Sequence, residues 1–180
     1  MNFARTALAT AAPVLLAGAL LPGCGSSPTG TDVSPAAGVA GQIGQVGIRD
    51  LFVLGGEAGQ TIPQGGAVPV YLTMVNSPSD VESRNASGSA APRTGADTLT
   101  SVSSPQAASV EIVGGSVPLP AGRDVQIGPA PKIILRGLKQ PLQSGGFVPL
   151  TLRFQHAGSG TLSAPVQARQ GDLQSYSPAP

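Results

Sequence analysis

The chain is poor in the residue types on which most binding and catalytic sites depend. Its 180 residues include one cysteine, one histidine, no tryptophan, two tyrosines and four phenylalanines. A lone cysteine excludes an internal disulfide. The shortage of aromatic rings leaves little surface on which bases or sugar rings could stack, and it predicts an aliphatic core.

Charge is also sparse. Charged residues form 11% of the chain, against about 25% in an average soluble protein. The formal net charge is +1, and after the N-terminal segment the basic residues are scattered singly from Arg49 to Arg169. Nucleic-acid binding needs clustered basic residues that displace counterions from phosphates, so we expect no nucleic-acid partner.

Common catalytic motifs are missing as well. The sequence has no GxSxG elbow and no phosphate-binding Gly-x-x-x-x-Gly-Lys run, and its carboxylates are dispersed except for Asp80 and Glu82. A nucleophile needs a base within hydrogen-bond reach and a third group that orients the base. We therefore predict a protein that is not an enzyme and has no catalytic residues.

Turn-forming residues are abundant, with 25 glycines and 18 prolines. Short apolar stretches recur between them, and no ten-residue window after the N-terminal segment shows helical periodicity. This pattern predicts an all-β domain, an antiparallel Greek-key sandwich or barrel. Besides the central segment described next, we predict strands over residues 46–54, 68–75, 97–103, 109–113, 117–119, 124–127 and 162–168.

The densest apolar segment covers residues 132–157. Apolar side chains that alternate with polar residues or proline mark one buried strand face: Val148, Leu150, Leu152 and Phe154. Residues 133–135 are apolar without alternation, as in a strand covered on both faces. Because turn-forming residues at 143–146 separate the two runs, we predict a β-hairpin at the centre of the domain.

The first 23 residues are predicted to be a signal peptide. Arg5 precedes an uncharged apolar run over residues 7–21. This run is shorter than the roughly 20 apolar residues that a membrane-spanning helix needs, and Pro13 interrupts it. The segment is therefore interpreted as an export signal.

The apolar run ends at Leu21, Pro22, Gly23 and Cys24. This tetrapeptide resembles a bacterial lipobox, in which the cysteine is diacylated and becomes the first residue of the mature protein. The alternative is a free thiol just past an ordinary cleavage site. Two acyl chains give stable anchoring where one does not, so we expect the domain to be held on the extracytoplasmic side of a membrane through Cys24.

The remaining chain divides by composition. Residues 24–44 are rich in Gly, Ser, Pro and Ala, and we predict a lipidated cysteine followed by a flexible linker. Residues 45–169 form the predicted β-sandwich domain. Within it, residues 77–95 are polar and small, which predicts a mobile insertion loop. Residues 170–180 are predicted to be a disordered tail.

Four spacings together resemble a known family: Val70-x-Leu-x-Met-Val-Asn76, Asp97-x-Leu-x-x-Val-x-Ser-Pro105, Leu135-Arg-Gly-Leu138-Lys-Gln-Pro-Leu142 and Val148-Pro-Leu-x-Leu152. Over residues 48–167 their order is similar to the periplasmic copper chaperones written PCu(A)C, and within them to the LpqE-like actinobacterial lipoprotein branch. The resemblance implies a cupredoxin-like β-sandwich. The same fold class follows from the strand pattern alone.

The resemblance also implies where copper would bind. In the family, Cu(I) is held by an early His and Met and by a later His-x-Met. The early His falls near Val113, and the later triplet falls on Lys132, Ile133 and Ile134. Cu(I) is soft and prefers thioether and imidazole ligands, which these residues do not supply. We therefore predict that the family's copper site is lost and that no cofactor is bound.

His156 and Met74 are the remaining candidate ligands, since Met1 is the only other methionine. His156 follows a strand and precedes a glycine-rich turn, which favours a partly exposed residue at a strand end. Met74 lies on an alternating apolar face, which favours a core position. The alternative is that His156 and Met74, or ligands from a partner, still hold copper.

These observations lead to a hypothesis of a cell-envelope lipoprotein with a non-enzymatic binding or scaffolding role. Its partner would be an unknown envelope protein or a small ligand, with the membrane engaged through the lipid anchor. The first alternative is an extracytoplasmic copper metallochaperone with non-standard ligands. The second is a surface protein whose exposed loop at 77–95 contacts host or envelope partners.

Overall fold

The computed structural model describes residues 38–77 and 95–180. Within these ranges the chain forms twelve β-strands and one short 3₁₀ helix. The strands are β1 Val39–Ile43, β2 Val46–Leu54, β3 Thr61–Ile62, β4 Ala67–Asn76, β5 Asp97–Ser103, β6 Ala107–Ile112, β7 Val117–Leu119, β8 Asp124–Ile127, β9 Ile133–Leu138, β10 Leu142–Gln143, β11 Phe147–Phe154 and β12 Ser159–Gln167. The 3₁₀ helix covers Gly171–Ser175.

Ten strands form one continuous sheet in the order β6-β9-β4-β2-β12-β11-β5-β7, with β1 on β2 and β8 on β4. The sheet folds over on itself, so that the half containing β4 and β2 faces the half containing β11 and β5 across one core. Every pairing is antiparallel except that of β12 with β2, which is parallel. The predicted all-β sandwich is confirmed.

The core is aliphatic, as the composition predicts. Residues with period two supply it from both halves: Val68, Val70, Leu72 and Met74 of β4, and Val148, Leu150, Leu152 and Phe154 of β11. Each of these side chains is nearly or fully buried. Burial of one such side chain stabilises the fold by about 1.5–3 kcal/mol, so this core supplies most of the favourable free energy of folding.

The hairpin predicted over residues 132–157 is wrong. β9 pairs with β4 and β6, whereas β11 pairs with β12 and β5. The segment between them is therefore a crossover from one half of the sandwich to the other, and β10 within it pairs with β3. Period-two alternation identifies the buried face of a strand, but it does not identify the neighbouring strand.

The predicted linker extends too far. Its last part forms β1, which pairs with β2 through Ile43 and Val46. A Cβ atom at Gly41 would lie 2.6 Å from a methyl carbon of Leu162, so the small residue permits close packing of β1 on β12. The rest of the predicted linker, up to residue 37, lies outside the described residues.

The predicted disorder of residues 170–180 is also wrong. The 3₁₀ helix lies in this stretch, and Tyr176 packs edge-on against Phe52 and Tyr71, with ring centroids 5.5 and 4.7 Å away. Leu173 packs against the same cluster, so apolar contacts help to hold this mostly polar segment on the sheet. The predicted mobile loop at 77–95 lies outside the described residues except at its two ends.

Candidate functional site

The positions to which the family resemblance assigns copper ligands lie side by side at one end of the β6–β9 pair. The backbone N–H of Val113 donates a hydrogen bond to the carbonyl oxygen of Lys132, at 2.8 Å. In the adjoining ladder Ile112 is opposite Ile133, and Glu111 is opposite Ile134. The strand pairing therefore retains the juxtaposition of positions that a shared metal ion would require.

The side chains at these positions do not fit Cu(I). Val113 is 51% exposed and has no donor atom, while Ile133 and Ile134 are buried and equally without donors. Lys132 is exposed and carries a positive charge. The neighbouring carboxylate of Glu111 is already paired with Arg136, whose Nε lies 2.6 Å from Glu111 Oε2. A soft cation would find neither a sulfur nor an imidazole here.

The two other candidate ligands are not brought together. Met74 is fully buried on the inner face of β4, opposite Ile48 of β2 and Val125 of β8. His156 is exposed in the turn after β11. An ion shared by both side chains would require Met74 to reach the surface. In residues 38–77 and 95–180, no group of three or more His, Cys, Asp or Glu side chains is placed to hold a metal ion.

The backbone at His156 is held by Asp97, which begins one of the family spacings and to which the sequence pattern assigned no role. Asp97 is only 3% exposed. Its carboxylate accepts hydrogen bonds from the backbone N–H groups of Thr98, His156 and Ala157, at 2.7, 2.9 and 2.8 Å. This arrangement fixes the turn that carries the imidazole.

The same contacts set the charge state of Asp97. Burial alone would raise the pKa of its carboxyl group. The three backbone N–H donors and the neighbouring His156 oppose that effect and lower the pKa below its usual value. Asp97 is therefore ionised at neutral pH and acts as a structural acceptor.

Asn76 is a second buried polar residue that connects distant segments. Its Nδ2 group donates to the carbonyl oxygens of Leu119, at 3.0 Å, and of Gly95. Its backbone N–H donates to the carbonyl of Arg123, and its backbone carbonyl accepts from Gly122. Asn76 thus connects the end of β4 to residue 95 and to the β7–β8 turn. In the sequence, the sign of this role is that Asn76 comes directly after the apolar residues of a strand.

Half of the chain's six aromatic residues form one cluster on the outer surface of β2 and β4: Phe52, Tyr71 and Tyr176. The Tyr71 hydroxyl donates to the carbonyl oxygens of Pro129 and Ser177. Burial, with a smaller contribution from the neighbouring Tyr176, raises the pKa of Tyr71 to about 12. This aromatic cluster fastens the C-terminal segment to the sheet.

Arg169 holds the same segment from its other end. Its guanidinium group donates to Glu57, Gln174 and Tyr176, at 3.0, 3.0 and 3.3 Å. A cavity of about 200 Å³ lies beside the cluster, between Asp50 and Leu173. A larger cavity of about 510 Å³ is lined by residues of the crossover, together with Gln106 and Phe147.

The residues predicted to carry the lipid anchor, Cys24 with Leu21, Pro22 and Gly23, lie outside the described residues. Within the ranges 38–77 and 95–180, no helix has the length and the apolar character to cross a membrane.

Comparisons with known proteins agree with the β-sandwich fold described above. The model of the LpqE-like lipoprotein family matches residues 48–166. A search among curated proteins finds no match.

Solved structures share the fold. The copper-bound PCuAC domain from PmoF2 has a TM-score of 0.54 and 23% identity, and the alignment covers 72% of this chain and 98% of that one. The apo PCuAC domain from PmoF1 has a TM-score of 0.55 and 19% identity, with 72% and 99% covered. The apo PCuAC domain from PmoF2 has a TM-score of 0.53 and 21% identity, with 74% and 98% covered.

Proposed function

The chain belongs to the LpqE-like lipoprotein family, and on that premise we propose that it is an exported, lipid-anchored protein with a non-enzymatic binding or scaffolding role. Its domain has the fold of PCuAC copper-chaperone domains. In this proposal it does not carry copper at the position that the family resemblance indicates. It instead presents the sandwich as a binding surface on the extracytoplasmic side of a membrane.

One observation carries the proposal. Val113 and Lys132, where the family resemblance places copper ligands, are joined by a backbone hydrogen bond, yet neither side chain offers a soft donor to Cu(I). The strand pairing places these positions side by side, but their side chains carry no soft donor atom. This chemistry supports a binding or scaffolding role that uses no copper at this position.

The anchoring part of the proposal rests on the sequence. Leu21, Pro22, Gly23 and Cys24 resemble a lipobox at the end of an apolar run, and the family is one of lipoproteins. Diacylation of Cys24 would hold the domain at a membrane surface, within reach of an envelope protein or a small envelope ligand.

A copper titration tests the first part. The full chain, purified in detergent, is titrated with Cu(I) in the presence of a competing chelator. We expect no one-to-one binding with a submicromolar Kd. Submicromolar binding that is lost in His156→Ala would contradict the proposal and establish the alternative, a metallochaperone with non-standard ligands. The matched control is Gln155→Ala, which alters the adjacent exposed residue and leaves the imidazole in place.

The copper alternative has one observation in its favour. His156 is exposed, and the turn that carries it is fixed by Asp97, so an imidazole is presented to solvent in a defined position. A single imidazole is one ligand, and Cu(I) would need further ligands from a partner protein. This second function therefore needs ligands besides His156, and the titration of the isolated chain tests whether the chain supplies them itself.

A further inference from the structure

The larger cavity, of about 510 Å³, lies where the chain crosses from one half of the sandwich to the other. Three segments wall it: Gln106 in the β5–β6 turn, the turn from Gln143 to Phe147, and four residues of the crossover, Leu138, Gln140, Pro141 and Leu142, but not Lys139. Its volume falls within the range of small-molecule sites, roughly 300–1,000 Å³. A ligand of two or three sugar-sized units would fit it.

The wall carries no ionisable side chain. Its polar side chains include three carboxamides, those of Gln106, Gln140 and Gln143. A carboxamide both donates and accepts hydrogen bonds, and so matches a hydroxyl group in either role. A charged ligand would lose hydration on entry without gaining a counter-charge, so the cavity favours a neutral, polar ligand.

Phe147 adds an aromatic face to this wall. The ring is 59% exposed, while the next residue, Val148, is fully buried in the core. Phe147 and Val113 are the exposed large hydrophobic residues of the described chain. A solitary exposed ring is unremarkable on most surfaces. Here, however, it borders a cavity lined by amides, and this combination of one flat apolar face with several hydrogen-bonding groups suits the C–H face and hydroxyls of a sugar ring.

The wall is held in place by backbone hydrogen bonds. The N–H of Lys139 donates to the carbonyl of Gln106, at 2.9 Å. Gly145 and Gly146 exchange hydrogen bonds with Val166 of β12, both at 2.8 Å. These contacts fix the two turns before any ligand enters, which lowers the entropic cost of binding.

A peptide is a poorer match for the same place. Proteins built from sheets commonly take up peptides as an added strand on a free edge. β11 is unpaired with β5 before Thr151, which leaves a short edge near the cavity. On that edge the carbonyl of Phe147 already accepts a hydrogen bond from Gln106 Nε2, at 3.3 Å, and Pro149 has no N–H to donate. The hydrogen-bonding groups of β11 that an added strand would need are therefore occupied or missing.

We propose that this cavity binds a neutral carbohydrate, with Phe147 stacking on a sugar ring and Gln106, Gln140 and Gln143 hydrogen-bonding its hydroxyls. The inference deepens the proposed binding role and rests on it, by naming a ligand class. The inference does not depend on copper. A negative carbohydrate experiment would therefore leave the result of the copper titration unaffected, and the reverse also holds.

The experiment is a calorimetric titration of the full chain in a detergent without a sugar headgroup. The probes are neutral oligosaccharides of arabinose, galactose, mannose and N-acetylglucosamine, with a sulfated oligosaccharide and an uncharged peptide as comparators. We expect saturable binding of at least one neutral oligosaccharide, weakened by about tenfold or more in Phe147→Ala. Gln140→Ala should weaken it by a smaller factor.

Val113→Ala is the matched control, because it shortens the other exposed large hydrophobic residue, which does not line the cavity. It should leave the Kd unchanged. Phe147 is largely exposed, so Phe147→Ala should keep the melting temperature of the parent, and the comparison is then one of binding alone. The proposal is overturned if no neutral oligosaccharide binds, if Phe147→Ala binds as the parent does, or if a comparator binds more tightly.

Discussion

The carboxylate of Asp97 accepts a hydrogen bond from the backbone N–H of His156, at 2.9 Å, across 59 residues of sequence. Asp97 begins β5 and His156 follows β11, so this bond fixes the loop end of two neighbouring strands. It also determines how the chain presents its one imidazole.

Removing the Asp97 carboxylate should destabilise the fold. Asp97→Ala leaves three backbone N–H groups without their acceptor, and a buried unpaired donor costs about 1–3 kcal/mol. The free energy of unfolding in urea at neutral pH measures the loss. Asp124→Ala is the control, since Asp124 is exposed, and it should change the free energy by less than about 0.5 kcal/mol. Equal stability of the two variants would contradict the role given to Asp97.

Acid should remove the same contribution. The pKa of Asp97 is lowered in the folded chain, so its stabilising effect is complete above the pKa of the unfolded chain, about 3.9. The effect is lost as the pH falls through the lower folded-state value. Unfolding curves between neutral pH and pH ~2 should therefore show a steeper decline for the parent than for Asp97→Asn, which cannot ionise. Parallel declines would show that Asp97 is not responsible.

The ordered C-terminal segment predicts an unusual tyrosine titration. Tyr71 and Tyr176 are the two tyrosines of the chain, so the ultraviolet titration of Tyr176→Phe reports Tyr71 alone. We expect a pKa of about 12 for Tyr71 in the parent, and a lower pKa in Tyr176→Ala, which exposes the Tyr71 ring. Because that pKa is raised on folding, stability should fall as the pH rises from about 10. An ordinary pKa for Tyr71 in Tyr176→Phe would mean that the segment does not cover it.

Restoring donors should restore metal binding. The triple variant Val113→His, Lys132→His and Ile134→Met places imidazole and thioether groups at the juxtaposed positions of the β6–β9 pair. We expect it to gain Cu(I) affinity by about 100-fold or more over the parent in a chelator competition. A control triple variant with Asn in place of each His and Leu in place of Met should not gain affinity. A folded triple variant without affinity would refute the geometric interpretation.

The lipid anchor has its own test. Cys24→Ser, expressed in a host that acylates lipoproteins, should leave the membrane fraction, because without the thiol no diacylglyceryl group can be attached. The parent should remain with the membrane, and metabolic labelling with a fatty acid should mark the parent alone. A Cys24→Ser protein that still sediments with the membrane would contradict anchoring through this residue.

The strands and the fold class follow from sequence because the underlying rule is local. Alternating apolar side chains identify β4 and β11 correctly, and the predicted bounds of β2, 46–54, and β5, 97–103, agree with the structure. Several pairing partners are not local. The choice of β4 as the neighbour of β9, and of β2 as the parallel neighbour of β12, depends on the whole sheet, and composition does not record it.

The wrong predictions for β1 and for residues 170–180 share a cause. Gly and Ala in β1, and polar residues in the C-terminal segment, resemble disordered sequence by composition. Both are ordered by contacts with the rest of the domain: Gly41 lies close to Leu162, and Tyr176 packs on Phe52 and Tyr71. The structural roles of the buried polar residues Asp97 and Asn76 were missed for the same reason, since most of their partners lie far away along the chain.

The parallel pairing of β12 with β2 has a consequence for how the domain comes to be folded. β12 occupies the place between β2 and β11 and connects the two halves of the sheet. The ribosome synthesises β2 more than a hundred residues before β12. β2 therefore lacks its parallel neighbour β12 until synthesis is nearly finished. A topology dominated by such distant contacts folds slowly, and a chain that is still unfolded when it leaves the ribosome is one that an export channel can thread.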